Sequence, residues 1–144
     1  MVGLYTVSTA EIRESIFGST AMLGIRLTLG AIFIAHGIPK FEASFAGFLE
    51  MKMFPVWLHY PVAAGEIIPG ILLVAGVFSR MSGAIIAAIM LGIFITIDRF
   101  VALTGDKGME YHLILFAAAI LIMVMGPGRI SVAHIVKRLP RWMH

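Results

Sequence analysis

Long apolar runs alternate with short polar stretches along this chain, and each run has the length of a membrane-spanning helix. About 18 residues at about 1.5 Å each extend about 27 Å, which is enough for a thin span. We predict four spans, at about residues 21–38, 60–78, 81–97 and 111–125. Only Ser79 and Arg80 separate the second span from the third, so these two helices should form an antiparallel hairpin.

Amphipathic stretches precede and follow the spans. In residues 1–20, Ser8 and Glu11 have the spacing of a capping box, which predicts a short helix at the membrane surface. In residues 129–144, apolar and basic side chains occupy opposite sides of a predicted helix. We therefore divide the chain into an N-terminal interfacial segment, a helix bundle over residues 21–128 and a basic amphipathic C-terminal helix.

A third amphipathic stretch lies between the first two spans. Its apolar residues share one helical stripe and aromatic residues follow, a pattern typical of a helix in the head-group layer beside an aromatic belt. These residues are Phe41, Phe45, Phe48 and Leu49, then Phe54, Trp57 and Tyr60. The predicted fold is an all-α membrane protein, an antiparallel four-transmembrane-helix bundle with amphipathic interfacial helices at both termini and between spans one and two.

The composition agrees with a membrane location. Hydrophobic residues make up 60% of the 144 residues, charged residues 13%, and the mean hydropathy is +0.98. The chain has no cysteine, which excludes disulfides and thiolate redox chemistry, so electron transfer would need a bound cofactor, a quinone or another subunit. The net charge of +3 comes from the C-terminal residues, where basic side chains favour anionic head groups over a nucleic acid.

The distribution of Lys and Arg predicts the orientation in the plasma membrane. The side that carries both termini has more basic residues than the other side, which predicts cytoplasmic termini. The basic residues on the terminal side are Arg13, Arg80, Arg129, Lys137, Arg138 and Arg141, against Lys40, Lys52, Arg99 and Lys107.

Glu66 stands out because it lies inside the second apolar span. A carboxylate at the centre of a membrane helix costs about 3 kcal/mol, and such residues usually face the bundle interior and find a partner. With Ile38 and Tyr60 as outer boundaries, Arg26 lies about 18 Å deep and Glu66 about 9 Å deep. An Arg side chain that points outward could close most of this gap, so we predict a buried Arg26–Glu66 pair.

Two interpretations of this pair remain open. In one, the two charges only neutralise each other and fix which helix faces lie inside. In the other, Arg26, Glu66 and His36 line a pocket that opens to the outer face and binds a small polar or quinone-type ligand. Arg26 would hold an anion or a carbonyl oxygen, and Glu66 or His36 would carry a proton. Lys40 and His112 belong to the same outer half and complete the candidate set.

We also considered a metal site at His36, Glu66 and His112, because imidazole and carboxylate suit Fe, Cu or Zn. Their spacing matches no recognised ligand motif, so we predict no metal site. Asp98 and Glu110 stand at helix boundaries, where solvated or helix-capping roles are expected.

Three sequence elements together resemble the DoxX family of four-helix membrane proteins. The first is Arg26 ahead of His36-Gly37-x-x-Lys40, and the second is Glu66-x-x-x-Gly70-x-x-Leu73-x-x-Gly76-x-x-x-Arg80. The third is Gly126-Pro127-Gly128-Arg129-x-Ser131. The resemblance covers about residues 23–133. Many members carry an Asp soon after this serine, where this chain has Val132, Ala133 and His134, so no role of that acid is carried over.

The resemblance implies a role in membrane redox chemistry, because the founding relatives are membrane subunits of a thiosulfate:quinone oxidoreductase. By analogy, Arg26, His36, Lys40 and Glu66 would be the pocket residues. The chain would then be a membrane subunit of a quinone-linked oxidoreductase complex that provides a buried Arg/Glu pocket or a proton path. It would bind a quinone at Arg26 and Glu66 and carry no cofactor of its own, since it has no motif for haem, flavin or Fe–S.

Two other functions remain open. The chain could be a non-catalytic accessory subunit that packs beside the large subunits of a membrane enzyme. Its uncharged third span would then be the contact face, because Ala84, Ala88 and Gly92 repeat every four residues. A small transporter or channel protomer is the weaker alternative.

Overall fold

The computed structural model describes residues 15–100, 102–105 and 108–135, and this part of the chain is helical without any strand. The main helices are α1 (Ile16–Gly37), α2 (Ala43–Met51), α3 (His59–Ala75), α4 (Ser79–Ile93), α5 (Glu110–Met125) and α6 (Val132–Ile135). Short 3₁₀ turns cover Ile38–Phe41 and Val56–Leu58, and a π-helical turn at Phe94–Asp98 extends α4. The prediction of an all-α fold is confirmed for these residues.

Within the part of the chain that the structure describes, three helical stretches are long and apolar enough to cross a membrane, so the chain is a multi-pass membrane protein. They are Ile16–Phe41, Val56–Ala75 and Ser79–Asp98. The fourth predicted span corresponds to α5, which is apolar but has only 16 residues. The prediction of four spans therefore exceeds the three that length and hydropathy identify.

The first helix begins earlier than the sequence indicated. Ser15 is its N-cap, and the Ser15 hydroxyl accepts a hydrogen bond from the Gly18 amide at 3.0 Å. Residues 16–20 therefore belong to α1, whereas we predicted that the first span begins at about residue 21. The predicted capping box at Ser8 and Glu11 lies outside the described residues.

The other two predicted amphipathic stretches are helical in part where they are described. The stretch between the first two spans contains α2, with Leu49 buried. At the C-terminal end, α6 covers the first part of the predicted basic helix, and residues 136–144 lie outside the described part of the chain.

Four helices share the hydrophobic core. Helix α1 packs against α3, α3 against α4, α4 against α5, and α5 back against α1. The core residues include Leu29 and Phe33 of α1, Leu73 of α3, Ile86 and Met90 of α4, and Ala119 and Ile122 of α5. This packing places the inward faces of all four helices around one interior.

Glycines allow α1 and α3 to approach closely. A Cβ on Gly30 would lie 2.7 Å from the Gly70 carbonyl oxygen, and a Cβ on Gly70 would lie 2.9 Å from the Gly30 carbonyl oxygen. The two backbones are therefore in direct contact, as is common between membrane helices, where close packing replaces the hydrophobic driving force.

Replacing Gly30 by valine should push α1 away from α3 and lower the free energy of unfolding by about 1–3 kcal/mol, the usual cost of overpacking. Thermal unfolding followed by circular dichroism in detergent measures this change. The matched control is Gly24→Val, also on α1, where a Cβ meets nothing within 4 Å. Equal melting temperatures for the two variants would contradict the close α1–α3 contact.

Helix α4 packs within the chain through a face that does not include Ala84 and Ala88. Ser82, Gly83 and Ile86 are buried, whereas Ala84 and Ala88 are exposed. Ala84 and Ala88 of the small-residue stripe therefore face away from the described helices of this chain.

Candidate functional site

An ion pair between Lys40 and Glu66 is the centre of the candidate site. The Lys40 ammonium donates to both carboxylate oxygens of Glu66, with both N–O distances 2.5 Å. Glu66 lies on α3, and Lys40 lies in the 3₁₀ turn that begins after Gly37. Pro39 stands in the first turn of this 3₁₀ segment, which packs against α3 and brings the Lys40 ammonium to the carboxylate.

Burial makes the pairing necessary. The side chain of Glu66 is only 3% exposed, whereas that of Lys40 is 18% exposed. A buried charge without a partner is strongly unfavourable in an apolar environment, and the opposite charge together with its hydrogen bonds offsets that cost. The pair therefore holds a carboxylate and an ammonium inside the molecule with no net charge.

An apolar cavity of about 460 Å³ lies beside this pair, between α2, α3 and α4. Its volume is within the range of small-molecule sites, which is about 300–1,000 Å³. Among its lining residues only Lys40, Glu66 and Thr96 have polar side chains, and the Thr96 hydroxyl donates to the Gly92 carbonyl at 2.7 Å. The apolar lining residues are Phe45, Phe48, Leu49, Phe54, Leu58, Pro61, Val62, Gly65, Ile85, Ile89, Gly92, Ile93 and Ile97. We call this space the α4 cavity.

A second cavity, also of about 460 Å³, is lined in part by His36, Lys40 and Ser44. Lys40, Phe45 and Phe48 line both cavities. The Lys40 ammonium also lies 5.5 Å from the centre of the Phe45 ring, a cation–π contact. Lys40 and two aromatic rings thus form the wall between the two spaces.

His36 lines this second cavity, and one of its ring nitrogens is already hydrogen-bonded. Its Nδ1 is 2.9 Å from the carbonyl oxygen of Ile32. A carbonyl oxygen can only accept, so we assign the proton to Nδ1, which leaves Nε2 as the free nitrogen. Of the predicted candidates, His36 therefore lines the second cavity, Glu66 lines the α4 cavity and Lys40 lines both.

The predicted pair between Arg26 and Glu66 is wrong. Arg26 is completely buried, but it donates through Nη1 to the Leu73 carbonyl at 3.0 Å and through Nη2 to the Ile130 carbonyl at 2.5 Å. Leu73 lies seven residues beyond Glu66, which is about 10 Å along α3. Arg26 is not among the residues that line the α4 cavity. Its guanidinium donates to a carbonyl near the other end of α3.

The end of α3 explains this direction. The last carbonyls of a helix lack intrahelical donors and carry the negative end of its dipole, so a guanidinium there is favourable. Gly76 ends α3 in the left-handed conformation, with φ 72°, and a Cβ at this position would collide with Arg26 Nη1. Glycine thus both turns the chain and leaves room for the guanidinium.

A second arginine caps the neighbouring helix end in the same way. Arg80 donates through Nη1 to the carbonyls of Met123 and Val124, at 3.3 and 2.8 Å, in the last turn of α5. Close by, the Ala133 amide donates to the Gly76 carbonyl at 3.4 Å. Arg26 and Arg80 therefore hold the ends of α3 and α5, and we call this region the arginine-capped end.

His112 belongs to neither cavity. Its Nδ1 is 2.9 Å from Oδ2 of Asp98, which joins the start of α5 to the end of the π-helical turn. The expectation that Asp98 is only solvated or helix-capping missed this contact. Within residues 15–100, 102–105 and 108–135, no group of three His, Asp or Glu side chains is arranged to hold a metal ion.

Comparison with known proteins shows which family this chain resembles. Residues 21–99 match the model of the DoxX family. Over 96 residues the chain is 30% identical to the Bacillus subtilis (strain 168) protein named "Putative oxidoreductase CatD". The aligned region covers 63% of this chain and 69% of that protein. No solved structure matches the chain significantly. The family match includes Lys40, Glu66 and most of the wall of the α4 cavity.

Proposed function

This chain belongs to the DoxX family of membrane proteins, and from that premise we propose that it is a membrane subunit of a quinone-linked oxidoreductase complex. In this proposal α1, α3, α4 and α5 form an antiparallel four-span bundle in the plasma membrane, with both termini in the cytoplasm. The exposed small residues of α4, Ala84 and Ala88, offer a face for a neighbouring membrane subunit. The oxidoreductase name of the Bacillus subtilis relative supports a redox role.

The quinone ring binds in the α4 cavity with its oxygen atoms at Lys40 and Glu66. The observation that carries this proposal is the buried ion pair in an otherwise apolar wall. A quinone carbonyl accepts a hydrogen bond from the Lys40 ammonium, and a quinol hydroxyl donates one to the Glu66 carboxylate. Both redox states of the ligand therefore find a charged partner, and the apolar walls exclude water from the ring.

The ion pair also suits proton transfer. Reduction of a quinone to a quinol takes up two electrons and two protons. The electrons come from another subunit, because this chain has no cysteine and no motif for a redox cofactor. Protons reach the ring through Glu66 and Lys40. His36 lines the neighbouring cavity together with Lys40 and passes protons to it.

Trp57 provides a direct assay of quinone binding. It stands in the 3₁₀ turn Val56–Leu58, next to Leu58 of the cavity wall, and Trp142 is the other tryptophan of the chain. In the Trp142→Phe protein, a quinone should quench the Trp57 fluorescence in a saturable manner. Replacing Glu66 by glutamine should weaken this binding by at least about tenfold, because a hydrogen bond to a charged group contributes about 1.5–3 kcal/mol.

The control for this assay is Asp98→Asn, because Asp98 carries a carboxylate that pairs with His112 and lines neither cavity. Its quinone affinity should equal that of the parent protein. Linear quenching without saturation, or equal affinity in the Glu66→Gln protein, would refute quinone binding at the ion pair.

A further inference from the structure

The α4 cavity is long as well as apolar. Its α4 wall extends from Ile85 to Ile97, twelve residues or about 18 Å along the helix. Gly65 and Gly92 lie in this wall, and the space above both is open. A Cβ on Gly92 would meet nothing within 4 Å, and one on Gly65 would meet only Ile89 Cδ1, at 3.7 Å. The groove therefore offers room for an extended chain, beyond what an aromatic ring requires.

The groove is open toward lipid. Ile85 is 38% exposed and Ile97 is 44% exposed, and both belong to a helical stretch that can cross the membrane. Exposed surface at this depth faces hydrocarbon and not water. Helix α2, by contrast, covers the cavity with Phe45, Phe48 and the buried Leu49. A ligand can thus reach the ion pair sideways from the bilayer.

On the premise of the proposed function, we propose that the ligand is a lipid-borne quinone with a long apolar tail. The ring enters from the bilayer between α2 and α4 and stops at Lys40 and Glu66. The tail lies in the groove over Gly65 and Gly92 and leaves toward lipid past Ile85. A quinone without a tail would fill only the part of the cavity beside the ion pair.

The test compares two quinones that share a head group, one without a tail and one with several isoprenoid units, in lipid nanodiscs. Binding is measured by quenching of Trp57 in the Trp142→Phe protein. Concentrations are expressed as mole fraction in the lipid, because partition from water alone would favour the longer tail. Gly92→Leu places a larger side chain in the groove, at a position where a Cβ meets nothing within 4 Å, so it should weaken binding of the tailed quinone by at least about tenfold. Binding of the tail-less quinone should stay within about twofold.

The matched control is Gly24→Leu, which places the same side chain on α1 where a Cβ also meets nothing within 4 Å. It should change neither affinity. If Gly92→Leu leaves the tailed quinone unaffected, or weakens both quinones equally, the assignment of the groove to the tail is overturned. The ring site would still stand in that case, provided that Glu66→Gln abolishes saturable quenching. If neither quinone quenches saturably, both proposals are overturned.

Discussion

We expect the Arg26→Met variant to lose about 2–6 kcal/mol of unfolding free energy and to melt at a much lower temperature. The substitution removes the Arg26 hydrogen bonds to two carbonyls at the arginine-capped end, the buried one of Leu73, which also accepts from the Gly76 amide at 3.1 Å, and the partly buried one of Ile130. Each hydrogen bond from a charged donor contributes about 1–3 kcal/mol. Methionine keeps most of the apolar volume, so the loss reports the hydrogen bonds. Thermal unfolding by circular dichroism in detergent measures it.

Arg80→Met is the control for this variant. Arg80 also donates to carbonyls at a helix end, but its side chain is exposed, so water or lipid head groups can replace it. Its loss should stay below about 1 kcal/mol. If the Arg26→Met protein melts at the same temperature as the wild type but does not bind a quinone, the guanidinium belongs to the ligand site. Our assignment of Arg26 to the stability of the helix end would then be wrong.

The membrane helices could be predicted from the sequence because each span is a nearly uninterrupted apolar run. The start of α1 could not be placed in this way. Ile16 and Phe17 read equally well as the apolar side of a surface helix or as the beginning of a span, and both are in fact exposed on α1. The choice depended on Ser15, whose hydroxyl caps the helix through Gly18.

The partner of Glu66 shows where sequence reasoning reached its limit. The depth of a residue follows from its position along a helix, and depth correctly indicated that Glu66 is buried and needs a cation. The direction of a side chain around and along the axis does not follow from depth. Arg26 points to the end of α3 because Gly76 leaves space there, and Lys40 reaches Glu66 because the 3₁₀ turn after α1 packs against α3.

The residues that resemble the DoxX family divide into two groups with different physical roles. Arg26, Gly76, Arg80 and Ser131 meet at the arginine-capped end, where they close helix ends and connect α3 to the segment before α6. Lys40 and Glu66 form the ion pair at the cavity. Helix depth and the family resemblance both made Arg26 a candidate pocket residue. The contacts assign it to stability, and they leave the ligand chemistry to the Lys40–Glu66 pair.

A double-mutant cycle on this pair should separate its stability from its function. Lys40→Met leaves the Glu66 carboxylate buried without a counter-charge, and we expect a loss of about 3–5 kcal/mol in unfolding free energy. Glu66→Met should cost less, because the Lys40 side chain is partly exposed and can extend its ammonium toward the surface. The double variant should regain most of the loss, since two apolar side chains need no partner. Thermal unfolding of the four proteins measures the coupling.

The same double variant decides what the ion pair is for. If the pair only fixes helix packing, the stable double variant keeps its ability to bind a quinone. A quinone should then still quench the Trp57 fluorescence of this variant saturably. If the pair holds the quinone oxygens, the double variant should fold like the wild type but show no saturable quenching of Trp57. The second result is the one we expect, because without the pair the remaining polar side chain among the lining residues is Thr96, whose hydroxyl already donates to the Gly92 carbonyl.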